Sequence, residues 1–373
     1  MARKNRIALL ALTVFQLIAS GAFCQAPSAP PGDLPVSISV YERTRVDTWQ
    51  WFAAPPQSET YSYFESLLRL GVAQRLRKWD WQLELVQPSV LGLPDDAISP
   101  ITAQGQLGLG ATYYASNSNN TNAAAAFLKQ GFLRYHFDSA DKTLRLGRFE
   151  YIEGQETQPK NATIAWLQTN RIAHRLIGNF GFSDAQRSFD GVDGHYGSNT
   201  WDIAPMAGRA DQGVFNMNGN PELNVDVQYL AFTKFDWSQR VLWRAFAIGY
   251  HDGRTGITKT DSRSLTVREA DHQNIRIGTY GGDLLASIPA GGGQFDLLFW
   301  ERCKTEAGAH WNIEPMQRRW RLAINSPSSP ALSGFVPDGF AAAATIVQQI
   351  ISTAHSSNCC RRRASMLAFL FIT

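Results

Sequence analysis

The chain has 373 residues, 44% of them hydrophobic and 18% charged, with a formal net charge of +3. That excess sits at the two ends: residues 1–24 carry three basic side chains and no acidic one, and 301–373 carries eight basic and four acidic, which leaves 25–300 with 24 basic against 28 acidic. A body without basic excess gives no footprint for nucleic acid, and a body without cysteine (the four are Cys24, Cys303, Cys359 and Cys360) has no disulfide framework.

In chain order, the first element is an export leader. Arg3, Lys4 and Arg6 precede the apolar run from Ile7 to Ile18, and Ala22-Phe23-Cys24 offers a small-x-small cleavage site before Gln25. This predicts a signal peptide over 1–24. The apolar run is too short to anchor in a membrane, and the body contains no stretch long enough for a transmembrane helix. Phe23, standing where a lipoprotein would need a small residue, weakens a lipoprotein reading of Cys24. Residues 25–35 are rich in Pro and Ala and read as a flexible lead-in.

From residue 36 the pattern is alternation of apolar and polar residues. Strands are predicted at 36–45, 64–72, 79–85, 127–137, 143–151, 187–196, 200–207, 225–231, 240–251, 274–280 and 294–300, about eleven in all. Short turns join them at Arg75–Lys78, Ser139–Lys142, Tyr196–Asn199, Asp236–Gln239 and Pro289–Gly293. Long connections fall at 46–60, 88–125, 152–186, 208–222 and 252–271, strictly between the short ones. Short turns on one side and loops on the other describe an antiparallel up-and-down transmembrane β-barrel of the outer-membrane kind, with long extracellular loops. Aromatic residues collect near the strand ends (Trp79, Trp81, Trp201, Trp237, Trp243), as interfacial girdles would require. A sandwich needs crossovers between sheets, which this turn order does not supply.

Alternation assigns faces. In Trp79–Leu85 the tryptophans and leucines share one face and Asp80, Gln82 and Glu84 the other. By the same rule Glu65, Arg69, Arg134, Asp226 and Arg276 are expected inside. Arg145 and Arg148 fall on opposite faces unless a bulge intervenes. Trp243-Arg244-Ala245-Phe246 is equally ambiguous. Within the long connection 152–186, residues 162–176 read as a helix carrying Arg171, His174 and Arg175 at i, i+3 and i+4. Such a helix either folds into the lumen as a constriction or packs on the rim.

Signals for chemistry are weak. His195, His251 and His272 have Asp193, Asp252, Asp271 and Ser188 nearby, but turn formation explains these neighbours equally well, and no nucleophile motif is present. An enzyme is not expected. Asp95-Asp96 offers too few ligands for calcium, and Gly105–Gly110 lacks the lysine and glycine spacing of a phosphate loop. No cofactor and no metal site is expected. Asn117–Asn122 reads as exposed and disordered.

Five segments resemble the bacterial alginate-export outer-membrane family: Gln106-Leu107-Gly108-Leu109-Gly110-Ala111, Leu144-Arg145-Leu146-Gly147-Arg148-Phe149-Glu150, Arg171-Ile172-Ala173-His174-Arg175-Leu176-Ile177-Gly178, Arg187-Ser188-Phe189-Asp190-Gly191-Val192 and Asn274-Ile275-Arg276-Ile277-Gly278. The resemblance covers about 36–300. It implies a monomeric barrel in the bacterial outer membrane whose basic lumen passes an anionic polyuronate, with lipid, the barrel-assembly machinery and the periplasmic export apparatus as partners. Arginines that hold each carboxylate loosely would suit such a path. Arg69, Arg134, Arg276 and one of Arg145 and Arg148 are the candidates, with Glu65, Glu84 and Asp226 to hold them extended; the same pairs would also serve simply to stabilise a polar interior. A general or substrate-selective porin, or a non-functional truncated relative, is the alternative reading.

Strand logic stops at Trp300. Beyond it lie an alanine run (Ala341–Ala344), Cys359-Cys360-Arg361-Arg362-Arg363 and an apolar end. The composition suggests that 301–373 is an out-of-frame tail. Loss of one base after the codon for Trp300 would permit a neighbouring-frame reading that contains Gly and Trp in the style of the body. A chain with an odd strand count would then leave an open edge, which lipid does not tolerate.

Overall fold

The computed structural model describes residues 35–51, 57–98, 107–137, 142–254, 264–290, 293–307, 317–325 and 370–372. Within them the alternating segments become one antiparallel sheet. Its strands are β1 (Ser37–Gln50), β2 (Thr60–Arg75), β3 (Trp79–Leu91), the short β4 (Asn122–Ala124), β5 (Phe127–His136), β6 (Lys142–Phe149), β7 (Phe189–Ser198), β8 (Trp201–Asp211), β9 (Glu222–Asp236), β10 (Val241–Asp252), β11 (Ile275–Ala290), β12 (Gly293–Ala307), β13 (Gln317–Asn325) and β14 (Leu370–Ile372). Apart from β4, which pairs with β3, each strand lies beside its sequence neighbour, and only β14 runs parallel to its partner. This is the up-and-down order that the alternating turns imply. Among the described residues, no strand pairs with the outer edge of β1, and the sheet is not closed.

All eleven expected strands are present, and most run further than alternation suggests. β2 begins at Thr60 because its ladder with β1 is unbroken from Gln50↔Thr60 to Ser37↔Ala73. β12 does not end at Trp300: it pairs with β11 as far as Arg276↔Ala307, and β13 pairs with β12 beyond it. Backbone hydrogen bonds to a 16-residue neighbour extend a strand whatever its side-chain pattern. The expected leader and lead-in up to residue 34, and 308–316, 326–369 and 373 of the tail, lie outside the described residues.

The sheet has two unlike faces. On β1 the even-numbered residues Ile38, Val40 and Val46 are exposed while Tyr41, Arg43, Arg45 and Asp47 turn to the other side. That other side is covered by the long connections. The segment between β6 and β7 runs down it: Phe149, Tyr151 and Ile177 pack with Phe189, Met206, Val225, Val227, Tyr229, Phe246 and Ile248. Burying each such side chain contributes about 1.5–3 kcal/mol.

Two helices shape this filling. α1 (Leu109–Ser116) packs Tyr113 against Tyr63, Leu67 and Met217. α2 (Ala162–Leu167) starts at Asn161, whose Oδ1 accepts from the backbone N–H groups of Thr163 and Ile164 at 3.0 and 3.2 Å. A π-helical turn, Gln168–Ile172, follows, and His174 then adopts a left-handed φ of 62°. The expected helix 162–176 therefore stops short. Asn117, expected to be disordered, is fixed by a side-chain bond to the Phe215 carbonyl and by accepting from the Met217 N–H.

Candidate functional site

The covered face carries charge in four groups, each set by strand register. Next to the short turns, Arg134 on β5 stands directly opposite Arg145 on β6. Asp80 faces Arg134 from β3, and Asp193 faces Arg145 from β7. Arg145 is matched by a carboxylate: Nε and Nη2 donate to Asp193 at 2.8 and 2.5 Å, and its guanidinium lies 4.2 Å over the Phe149 ring. Arg134 is not. Its Nη1 is 3.8 Å from Asp80 Oδ2, an oxygen already 2.7 Å from His136 Nε2, and a third of its side chain is exposed (33%). Like charges across a ladder destabilise it, so this pair marks a place where stability is given up.

Higher on β2 and β3, Arg69 donates to Glu84 at 2.7 Å and to Gln186 of the covering segment at 3.1 Å. Lys129, the bulged residue of β5 beside the register shift at Glu84/Leu85, is buried and donates to the Ala185 carbonyl at 3.1 Å. At the β1 edge, Arg45 donates to the buried Glu65, and Arg43 to Asp184 at 2.6 Å.

The fourth group is the most enclosed. Arg244 on β10, 2% exposed in its side chain, donates to Glu153 at 2.6 Å and to Asp283 on β11 at 2.7 Å, with Glu156 at 3.3 Å. Tyr229 donates to Glu156 and accepts from Arg244. Burial, partly offset by Arg244, pushes the Glu153 carboxyl up to about 7. Sequence reading missed this group. Its signal was the ambiguous Arg244, whose face only the register with Asp283 settles.

The covering segment reaches the far end of the sheet. Ile164, Leu167 and Ile172 pack against Phe235, Leu242, Leu285, Leu298 and Trp300, beside the short turns, and Gln294 donates to Thr163 at 2.7 Å. Of its basic residues, Arg175 bonds the Arg171 carbonyl and lies 5.6 Å over the Trp300 ring. Arg171 lies 5.2 Å over Trp166, and His174 is exposed. The three stand on the segment that fills the covered face.

Two expected lumen residues, Asp226 and Arg276, lie instead on the opposite, exposed face, and of the alternatives Arg145 and Arg148 it is Arg148 that lies there. Parity places them. The covered side of β9 is the apolar set Val225, Val227, Tyr229 and Ala231, because the covering segment is itself apolar there, so Asp226 turns out. The register Asp226↔His251↔Arg276 carries Arg276 with it. In the ambiguous β6 it is Arg145 that points to the covered side and Arg148 that does not. Glu65, Glu84, Arg69, Arg134 and Arg145 are on the covered face.

Among the described residues there is no cluster of three or more His, Cys, Asp or Glu able to hold a metal, and no helix is long and apolar enough to cross a membrane, which does not bear on strands. No family description and no curated protein matches the chain. Solved structures do align with it. Pseudomonas aeruginosa OccK9 (OpdG) is 10% identical at a TM-score of 0.40, over 74% of this chain and 59% of that one. Pseudomonas putida OprB, in its high-pH structure, is 9% identical at a TM-score of 0.41, over 74% of this chain and 71% of that one. The chain thus spans less than two thirds of the length of OccK9.

Proposed function

We propose that the chain forms the wall of an outer-membrane channel that passes an anionic saccharide, of the alginate-like polyuronate kind, past arginines on its inner face. The observation that carries this reading is the division of the sheet into two faces. On the exposed face, Tyr196, Trp201, Phe232 and Trp243 form a chain of rings near the short turns, at centroid spacings of 5.8, 6.5 and 5.3 Å. Leu144, Leu146, Leu230 and Tyr280 are exposed above them. On β9 the outward charges Asp226 and Lys234 bracket only Gln228, Leu230 and Phe232. Eight residues span roughly 27 Å along a strand, or about 21 Å along the axis at a ~40° tilt, close to the ~25 Å apolar band of such barrels.

On the inner face, Arg134 keeps donors free for a passing carboxylate, and the segment with Arg171, His174 and Arg175 narrows the path. Binding there is to be weak, since conduction requires release. Arg69, Arg145 and Arg244, each matched by carboxylates, support the second reading, a channel for polar solutes with little preference for anions. Reconstitution in planar bilayers tests both. The first reading expects anion-selective conductance, blocked by oligouronates and weakened by salt; conductance with no uronate block leaves the second. Absence of heat-modifiable protein from outer-membrane fractions refutes the location itself.

A further inference from the structure

The short-turn end of the covered face holds more than the pair Arg134 and Arg145. Strand register lines up Arg75, Asp80, Arg134, Arg145 and Asp193 across β2, β3, β5, β6 and β7. One step nearer the turns, His136, Thr143 and His195 form a second row across β5, β6 and β7. Alternation puts both rows on one face, since His136 is two residues from Arg134 and His195 two from Asp193. Each histidine has its own aspartate: His136 Nε2 lies 2.7 Å from Asp80 Oδ2, and His195 Nδ1 lies 3.3 Å from Asp202 Oδ2.

The two rows meet at Asp80. Arg134 Nη1 stands 3.8 Å from its Oδ2 and Arg75 Nε 3.9 Å from its Oδ1. Both distances exceed hydrogen-bond range, so among the described residues the one side-chain hydrogen bond at Asp80 is with His136. Arg134 in turn has no ion-pair partner among the described residues except Asp80, and its guanidinium rests 5.4 Å over the Phe132 ring. One carboxylate thus stands between an arginine and a histidine, and the proton on the histidine decides how much of its charge the arginine receives.

We infer that His136 sets the anion preference of the path: protonated, it satisfies Asp80 and leaves the charge of Arg134 for a passing carboxylate; deprotonated, it returns Asp80 to Arg134. The inference rests on the reading of Arg134 as part of an anion path. With His136 protonated, the pair it makes with Asp80 is neutral and Arg134 is uncompensated. With His136 neutral, Asp80 keeps its full charge 3.8 Å from Arg134 and offsets it. The other charged groups around His136 are Arg75 on β2, Lys78 in the turn, whose carbonyl accepts from the His136 N–H, Arg145 on β6, and Asp193 and His195 on β7. Of these only His195 changes charge between pH 5 and pH 8, and its partner Asp202 forms no ion pair with Arg134. Glu153 on the covering segment also titrates in that interval, so the test compares variants as well as pH values.

The test is the chloride-to-potassium permeability ratio of the full chain in planar bilayers, from reversal potentials in KCl gradients. The salt is kept near ~0.01 M, where a Debye length of about 30 Å leaves the charges unscreened. Parent, His136→Gln, His136→Arg and, as a control on the exposed face, His251→Gln are compared at pH 5 and pH 8. His136 and Arg134 are about 7 Å apart along the strand, and one unit charge at that distance in water changes anion binding roughly threefold. The parent ratio is expected to rise from pH 8 to pH 5, and the rise in His136→Gln to be smaller by that factor. His136→Arg, a fixed cation, is expected to exceed the parent at pH 8 by the same factor, and His251→Gln to follow the parent. Heat-modifiable mobility checks folding; should His136→Gln not fold, His136→Arg against the parent at pH 8 decides. Equal rises in parent and His136→Gln, or a His136→Arg ratio no higher than the parent's at pH 8, overturn the inference while the conductance itself keeps the channel reading standing. No conductance from any folded sample overturns the channel reading and this inference with it.

Discussion

Arg244→Met tests what holds the covering segment in place. The guanidinium touches three carboxylates, Glu153, Glu156 and Asp283, whose side chains are at most 1% exposed. Its removal leaves them buried without a cation, and breaking a buried ion pair in this way costs about 3–5 kcal/mol. Glu153 and Glu156 belong to the covering segment, Asp283 to the sheet, so the loss falls on docking of that segment. The assay is limited proteolysis between Tyr151 and Arg187 in detergent-folded protein, with thermal unfolding alongside. The variant is expected to be cut there at least ten times faster than the parent while the strands stay protected. Unchanged cleavage and an unchanged Tm would refute the latch.

The same group predicts a pH effect in the parent. Glu153 rises from 4.5 to about 7 on folding. For a carboxyl raised in the folded state, the stabilising contribution is fully present below 4.5 and is lost as pH rises through 7. Between pH 5 and pH 8 the loss is on the order of 2–3 kcal/mol. The segment should therefore be harder to cleave at pH 5 than at pH 8. Glu153→Gln should flatten the profile, and an equally steep profile in that variant would contradict the assignment.

Arg134→Gln should reduce oligouronate block and anion selectivity several-fold, with the difference shrinking as salt is raised; planar-bilayer recordings decide it. Arg276→Gln should leave both unchanged, since its side chain lies on the outer face, and an equal effect of the two would place the path wrongly. Gly147→Ala should destabilise the sheet by about 2–3 kcal/mol, from a left-handed φ and a Cβ pressed on the Gly131 carbonyl, read as a lower midpoint in urea unfolding.

Much of the sheet was legible because turn spacing and strand alternation are local properties. Leu83 and Leu85 against Gln82 and Glu84 fix β3 without any neighbour. Two features were not local. The extent of β12 past Trp300 depends on pairing with β11, and nothing in Glu301–Ala307 alone announces it. The face of an arginine between two apolar residues, as at Arg244, is decided by which carboxylate stands opposite.

Asp226 shows why the site was read less well than the fold. The expectation that polar residues face the lumen assumes a water-filled interior. Here the interior of β7 to β11 is filled by the protein's own segment, which brings Tyr151, Ile164, Leu167 and Ile177 to the sheet. On β9 apolar residues then stand on both faces, Val225, Val227, Tyr229 and Ala231 on the covered one and Leu230 and Phe232 on the other, so polarity no longer distinguishes the two. The outward Asp226 is stabilised by Arg209 at 2.7 Å, at the level where the apolar band ends. Along the cross-strand row from Arg148 to Arg276, Arg148 is paired with Asp190 and Arg209 with Asp226, which neutralises most of its charge. Near the short turns of β3 to β6 alternation keeps its ordinary meaning: Asp80 and Arg134 lie where their parity puts them, and the register opposite Arg134 settles Arg145. An anion path, if the chain forms one, therefore runs along β1 to β6, and variants that neutralise arginines there should change selectivity while those on β8 to β11 change only stability.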